Sequence, residues 1–204
     1  ALWLVFPAVS LILFLLISAL HFGFSDARAD FGWLKWVQVV AHGGGVVISI
    51  SQFHKLEVDK IFSYLSWQDS YVVWVAIDLA SLLLVIVFMI YAYHAFYDKR
   101  WRQGFLELNF LLLIFYFFPP LVGFALYFCC LHSLRHFLVL WWSLQKIHQK
   151  KYIYFQALFF TFSSWITGGF AYWYCNDQMS GEVALLRVIF IGLAALTVPH
   201  MILV

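Results

Sequence analysis

Two histidines four residues apart, His132 and His136, are the residues of this chain best suited to metal chemistry. They lie with Arg135 inside an apolar run from Leu121 to Leu144. In a helix, residues four apart share a face, with Cβ atoms roughly 6 Å apart, so both imidazoles can reach one ion. Neutral imidazole binds zinc, copper, iron and nickel. The spacing therefore predicts a metal site without naming the metal, and the alternative is a pair that only hydrogen-bonds across a helix bundle.

The composition predicts that these histidines lie in a membrane. Of the 204 residues, 65% are hydrophobic and 11% are charged, against roughly 45–50% and 25% in soluble domains. The formal net charge is only +2 and the basic residues are scattered, which argues against nucleic acid as a partner. The three cysteines form no C-x-x-C pair, so they are assigned neither a disulfide nor a metal.

The apolar runs predict the elements that carry the histidines. A helix needs about 20 mainly apolar residues to span a bilayer. The expected fold is therefore all-α, a polytopic membrane helical bundle of about seven transmembrane helices in one domain, residues 1–204. Gly43, Gly44 and Gly45 weaken the second run, which is expected to be irregular, and Pro119 and Pro120 end the fourth. The predicted spans lie near 1–22, 36–53, 71–97, 105–118, 121–144, 152–174 and 183–204.

The charged connections predict an orientation in the membrane. Residues 99–102 and 146–151 are net positive, so the positive-inside bias puts them in the cytoplasm. His54 and His148 lie in charged connections and are interpreted as solvated. For His94, both a solvated and a functional role are left open. Four histidines then share the cytoplasmic half of the bundle: His21, His42, His136 and His200.

Four local patterns, taken together, resemble a known membrane enzyme family. In this order and at these separations they are similar to the bacterial and archaeal β-carotene 15,15′-dioxygenases, which are associated with retinal supply to microbial rhodopsins. The resemblance runs from about Leu11 to Val204. The patterns are His21-Phe22-Gly23-Phe24-Ser25-Asp26, Ala41-His42-Gly43-Gly44, His132-Ser133-Leu134-Arg135-His136 and Thr197-Val198-Pro199-His200-Met201.

The resemblance implies a multi-pass oxidoreductase of the bacterial inner membrane or archaeal plasma membrane. Its expected cofactor is Fe²⁺, and its expected reaction uses O₂ to split the central double bond of β-carotene into two molecules of all-trans retinal. The implied ligands and catalytic residues are His21, His132 and His136. The family also has a P-H-G-x-x-D segment that should precede Ala1 and supply another ligand. The chain is therefore expected to be a fragment, truncated at both ends.

Other polar residues are candidates to complete or support such a site. His200 is a further candidate ligand, and His42 is a ligand, a hydrogen-bonding neighbour of the ligands or a packing residue. A ligating histidine usually donates its other ring N–H to a carboxylate or carbonyl, for which Asp26 is the first candidate; its alternative is a solvated loop residue. Arg135 is expected to meet a carboxylate or helix C-terminal carbonyls, because an unpaired cation in a membrane is unfavourable. The next carboxylate candidates are Glu107 and Asp78.

Three other functions remain open from the residues alone. A membrane di-iron desaturase or hydroxylase also has an H-x-x-x-H pattern, but it needs further H-x-x-H-H clusters, and this sequence has no His-His pair. A carotenoid- or retinal-handling protein without catalysis could keep the same histidines. A transporter is disfavoured because the sequence shows no clear internal repeat. Aromatic runs at 116–118, 124–128 and 159–165 suit the walls of a polyene tunnel or simple packing.

Overall fold

The computed structural model describes residues 2–28, 32–67, 70–135, 137–138, 141 and 150–203. Every regular element in this part of the chain is a helix, which confirms the all-α class. The elements are α1 Leu2–Val5, α2 Pro7–Asp26, α3 Trp33–Phe53, α4 Lys55–Leu65, α5 Tyr71–Tyr97, α6 Lys99–Phe117, α7 Pro120–Ala125, a π-helical stretch Leu126–Ser133, α8 Lys150–Asn176 and α9 Gly181–Leu203.

Two of the described helices, α2 and α5, are long and apolar enough to cross a membrane by length and composition. They correspond to the first and third predicted spans. Helix α6 ends at Phe117 and α7 begins at Pro120, so the break predicted at the two prolines is confirmed. The full bundle of about seven spans remains a prediction.

Helix α3 lies at the centre of the packing, with α2, α5 and α6 against it. It runs without a break through Gly43, Gly44 and Gly45, so the irregularity expected there is wrong. The glycines serve close packing instead. A Cβ at Gly44 would lie 2.9 Å from Leu84 Cδ1, and one at Gly45 would lie 2.8 Å from Leu108 Cδ1.

The crossing of α2 and α3 is closer still. A Cβ at Gly43 would overlap the backbone carbonyl of Ala19, and a Cβ at Gly23 would overlap the carbonyl of Val39. Small residues at a helix crossing let two backbones approach closely. This crossing therefore fixes the C-terminal half of α2, which carries His21, against the central helix.

Two charged connections predicted from the sequence are helical, which corrects that expectation. Residues 99–102 form the first turn of α6, where Asp98 accepts a hydrogen bond from the Arg100 backbone N–H at 2.9 Å. The charged connection next to His54, residues 55–60, was also predicted as a loop between spans and belongs to α4. Its signal was present in the sequence, because Val58, Phe62 and Leu65 recur at helical spacing and are buried.

Side-chain hydrogen bonds attach α4 to its neighbours, one set from the middle of the helix and one from the residue before it. Asp59 accepts hydrogen bonds from Ser70 Oγ at 2.7 Å and from Trp74 Nε1 at 2.6 Å, and these donors hold the pKa of Asp59 below its usual value. His54 was interpreted as solvated, and that is wrong. Its Nε2 lies 2.7 Å from the Phe115 carbonyl oxygen, so it donates a hydrogen bond to α6.

Replacing Gly43 with alanine is expected to destabilise the fold, because the new Cβ overlaps the backbone of α2 and forces the crossing apart. Overpacking of this kind lowers the free energy of unfolding by about 1–3 kcal/mol. The measurement is the thermal unfolding midpoint of the purified protein in one detergent.

Gly168→Ala in α8 is the matched control, because a Cβ at Gly168 meets nothing within 4 Å. Alanine in a helix interior is favoured over glycine by roughly 0.5–1 kcal/mol, so this variant should be as stable as the parent or slightly more so. Equal midpoints for the Gly43→Ala and Gly168→Ala variants would contradict the packing role of Gly43.

Candidate metal centre

Two of the predicted ligands lie together. His21 Nε2 and His132 Nε2 are 3.2 Å apart, and their ring centroids are 5.0 Å apart. An ion about 2.1 Å from each nitrogen, at an angle between a right angle and a tetrahedral one, would separate them by roughly 3.0–3.4 Å. The pair therefore fits one shared metal ion, although the same distance also suits a hydrogen bond between the rings. That His21 and His132 bind metal remains a prediction.

The side chains of the other predicted ligands lie outside the described residues. His136 lies outside the described residues, as does His148. His200 belongs to α9, but its side chain lies outside the described part. Among the side chains that are described, no group of three or more His, Cys, Asp or Glu could hold a metal ion. Of the predicted ligands, His21 and His132 are therefore the two whose side chains the structure describes.

A π-helical stretch positions His132. The sequence predicted an α-helix through 121–144, but residues Leu126–Ser133 are π-helical, which corrects that expectation. A π-helix pairs residue i with i+5, so Tyr127 and His132 lie on one side, and both are buried. In an α-helix these two residues would be roughly 140° apart around the axis. The π geometry therefore lets both side chains face α2 at once.

The carboxylate of Asp26 ties this stretch to the end of α2. Asp26 Oδ2 accepts a hydrogen bond from Tyr127 Oη at 2.8 Å, and Oδ1 accepts one from Arg135 Nη1 at 3.0 Å. Asp26 is 8% exposed, so the alternative considered for it, a solvated loop residue, is wrong. Its contacts support the segment that carries His132. The contact expected between Arg135 and a carboxylate is confirmed.

A second carboxylate extends the charge network. Glu107 forms an ion pair with Arg28, and its Oε2 lies 3.8 Å from Arg135 Nη2. Two carboxylates and two guanidinium groups thus balance each other where α2, α6 and the segment after the π stretch meet. A buried carboxylate needs this compensation, because an uncompensated charge away from water is strongly unfavourable. Asp78, the other candidate, instead contacts Gln52 and Lys55.

Aromatic rings surround His132. The Phe22 ring lies 4.9 Å from the His132 ring and is steeply tilted to it, while the Phe128 ring stacks against His132 at 5.8 Å. Phe22 also contacts the Tyr127 ring at 5.2 Å. The histidine pair is therefore bordered by apolar rings that exclude water from that side. From the sequence, Phe22 was named only within the pattern that begins at His21, and Tyr127 only as a member of the aromatic run 124–128; neither was assigned a contact at the site.

His42 occupies a separate buried contact. Its Nε2 lies 3.1 Å from Tyr91 Oη, with the two residues 3% and 1% exposed. Gly104 completes the contact, since a Cβ there would lie 2.5 Å from Tyr91 Oη and 3.6 Å from His42 Nε2. Of the three roles considered for His42, this geometry favours packing and hydrogen bonding between α3, α5 and α6. His94 lies in an aromatic cluster, 5.0 Å from the Trp101 ring.

Comparison with known proteins decides the family. The family model described as "Beta-carotene 15,15'-dioxygenase" matches residues 1–204. A protein of the same name from the uncultured marine bacterium 66A03 is 41% identical over 202 residues, covering 99% of this chain and 73% of the relative. This chain belongs to the β-carotene 15,15′-dioxygenase family. No solved structure matches it.

Membership of the dioxygenase family confirms the resemblance drawn from the four histidine patterns. Two of those patterns, the H-F-G segment with His21 and the H-S-x-R-H segment with His132, are the ones that the fold brings together. The family match does not test individual ligands. Tyr127 enters the site of this family member only through the fold, because nothing in its local sequence marks it as polar support.

Replacing Tyr127 with phenylalanine is expected to destabilise the protein, because Asp26 loses one of its two donors while the carboxylate stays buried. A hydrogen bond to a charged group contributes about 1.5–3 kcal/mol. The thermal unfolding midpoint should fall accordingly. Tyr116→Phe is the matched control, because Tyr116 is 60% exposed on α6; an equal effect of both substitutions would show that the Tyr127 hydroxyl does not support Asp26.

Proposed function

We propose that this chain cleaves the central 15,15′ double bond of β-carotene with dioxygen and releases two molecules of all-trans retinal. The observation that carries the proposal is 41% identity over 99% of the chain to a relative named for this reaction. In the overall reaction the C15=C15′ bond breaks and each of the two carbons gains one oxygen atom of O₂ as an aldehyde. The equation balances without another oxidant or reductant.

We propose Fe²⁺ as the metal, with His21 and His132 as ligands and with His136 and His200 as further ligands. The 3.2 Å separation of the two Nε2 atoms and the neutral imidazole donor set support this assignment. Iron(II), when bound, supplies a redox centre at which dioxygen becomes reactive toward a double bond. A shell of a few neutral ligands is suited to this use because it would leave coordination positions open for dioxygen.

The surrounding side chains then have distinct tasks. Phe22 and Phe128 pack against the His132 ring and keep water from the reacting double bond. Asp26 and Arg135 hold the segment after the π stretch against α2, so that the two imidazoles stay in one geometry. Preorganisation of this kind matters because small displacements of reacting groups slow a reaction strongly.

We also propose that the protein is a multi-pass protein of the bacterial inner membrane or the archaeal plasma membrane. The outer face of α5 supports this, because five large apolar residues recur there at helical spacing and are 58–69% exposed. A soluble monomer rarely exposes such a continuous patch, whereas lipid covers it. The aromatic runs at 116–118 and 159–165 are also largely exposed, as lipid-facing rings would be. The α5 residues are Leu79, Leu82, Leu83, Ile86 and Met89.

The proposed substrates are β-carotene and O₂, and the proposed use of the product is supply of retinal to a microbial rhodopsin. The test is to produce the protein in cells that accumulate β-carotene, to follow loss of colour and to assay extracted retinal. Retinal formed in step with loss of β-carotene supports the proposal. Purified protein that retains β-carotene without forming retinal would instead indicate a carotenoid-handling protein.

Replacing His132 with alanine is expected to abolish cleavage and to lower the iron bound per protein, because one of the two imidazoles that meet at 3.2 Å is removed. Membrane insertion should persist, since loss of a polar group from an apolar segment favours insertion. Iron is measured on purified protein and retinal by chromatography. His94→Ala is the control, as His94 packs against Trp101 elsewhere in the fold. A His132→Ala variant that keeps both iron and turnover would refute the ligand assignment.

Replacing Asp26 with asparagine is expected to weaken iron binding or cleavage by roughly 10–100-fold, the usual effect of losing a group that orients metal ligands. Some activity should survive, because His21 and His132 both remain. The measurement is an iron titration of metal-depleted protein together with the rate of retinal formation. An unchanged titration and rate would limit Asp26 to a role in folding.

A further inference from the structure

An apolar cavity lies between α2, α3, α4, α7 and α9. Its walls include Phe14 and Phe22 from α2, Ile61 from α4, Phe124 from α7 and Phe190 from α9. Its volume is about 80 Å³, several times the roughly 10–15 Å³ that one water molecule needs. Cavities with apolar walls stay dry and accept apolar ligands. This space therefore suits a hydrocarbon, with room for a chain of several carbon atoms before any side chain moves.

The cavity borders the histidine pair through Phe22. Phe22 forms part of its wall and is also the residue whose ring lies 4.9 Å from the His132 ring. His21 precedes Phe22 directly, and Ser18, another wall residue, lies one helical turn earlier. Phe124 lies on the same wall, 6.3 Å from Phe22 between ring centroids. A ligand in the cavity would therefore end next to the two imidazoles.

The length of the cavity suits part of a carotenoid. The wall formed by α2 extends from Phe22 to Phe14, which is about 12 Å at a rise of 1.5 Å per residue. At its far end the Phe14 ring meets Phe190 at 6.5 Å and Trp3 at 6.1 Å. Leu121, also a wall residue, is 47% exposed, so the wall at α7 borders the apolar outer surface. This length is comparable to one half of a carotenoid and not to the whole molecule. Wall side chains must move aside to admit the end ring, because about 80 Å³ is smaller than the roughly 150 Å³ cavity that holds a benzene molecule.

We propose that this cavity holds one ring-bearing half of β-carotene, with the central double bond placed at the His21 and His132 end. The inference rests on the proposed function and adds the location of the substrate and the residues that select its end ring. The end ring of β-carotene carries no polar substituent and needs no hydrogen bond, which agrees with the apolar walls. Of the wall hydroxyls, that of Ser51 already donates to the Val47 carbonyl at 2.9 Å. Ile61, in the middle of the α4 wall, is the residue we assign to selection of the ring.

Filling the cavity tests this directly. Ile61→Trp should lower kcat/KM for β-carotene by roughly 10–200-fold, the range that a change in pocket contacts produces, because β-carotene has a ring at both ends. β-Apo-8′-carotenal has one ringless end that can enter the narrowed cavity, so its cleavage should fall much less. Bound iron should be unchanged, since Ile61 lies on α4, away from the histidine pair. The matched control is Ile86→Trp, which makes the same replacement at a residue that is 58% exposed on α5.

Each result decides the inference. A loss of kcat/KM confined to β-carotene supports the inference. Equal loss with both substrates, or no loss, overturns the inference. In either case, retinal formation by the parent protein leaves the proposed function intact. Absence of retinal from the parent protein itself would instead refute the proposed function.

If Ile61→Trp does not fold, Ile61→Ala replaces it. The enlarged cavity should then raise the rate with a carotenoid that has hydroxylated end rings relative to β-carotene, and an unchanged ratio would overturn the inference.

Discussion

The buried carboxylate of Asp26 is the interaction on which the candidate metal centre depends. It joins the last residue of α2 to Tyr127 at the start of the π-helical stretch and to Arg135 beyond its end. His21 lies five residues before Asp26, and His132 lies five residues after Tyr127. One hydrogen-bonded carboxylate thus aligns two segments so that their imidazoles meet. Because its charge is away from water, the carboxylate stabilises this arrangement only when its donors are in place.

The crossing of α2 and α3 gives this interaction a fixed base. Gly23 and Gly43 let the two backbones approach so closely that neither position has room for a Cβ. The crossing lies within a few residues of His21 on one helix and next to His42 on the other. Close backbone contact restrains a helix more strongly than contact through long side chains, which have rotational freedom of their own. The position of His21 is therefore set by backbone packing.

The aromatic residues form the apolar surroundings of the candidate site. Phe22 is shared, because it packs on His132 and also forms a wall of the apolar cavity. A reaction between dioxygen and a hydrocarbon needs two environments. One is a polar centre for the proposed metal, and the other is an apolar space for the substrate. The Phe22 ring belongs to both. The family to which the chain belongs is consistent with this division of the site.

Local patterns in the sequence determined the all-α class, the break at the two prolines, the histidines of the site and the family. Each of these depends on residues close together along the chain. The helical spacing of apolar residues in α4 was also present in the sequence, but the charged residues of the same segment led to its prediction as a loop. The π-helical stretch was not readable, because no local pattern distinguishes it from the α-helix predicted for the same apolar run.

Only the tertiary structure decided which residues meet. Asp26 and Tyr127 are separated by 101 positions, and His21 and His132 by 111. A sequence pattern confined to one segment gives no information on such contacts, because they form only when several helices pack together. For the same reason the glycines of α3 appeared to weaken a helix when considered alone, whereas in the fold they allow its close contact with α2. The sequence thus determined which groups are available for chemistry, and helix packing decided which of them share a site.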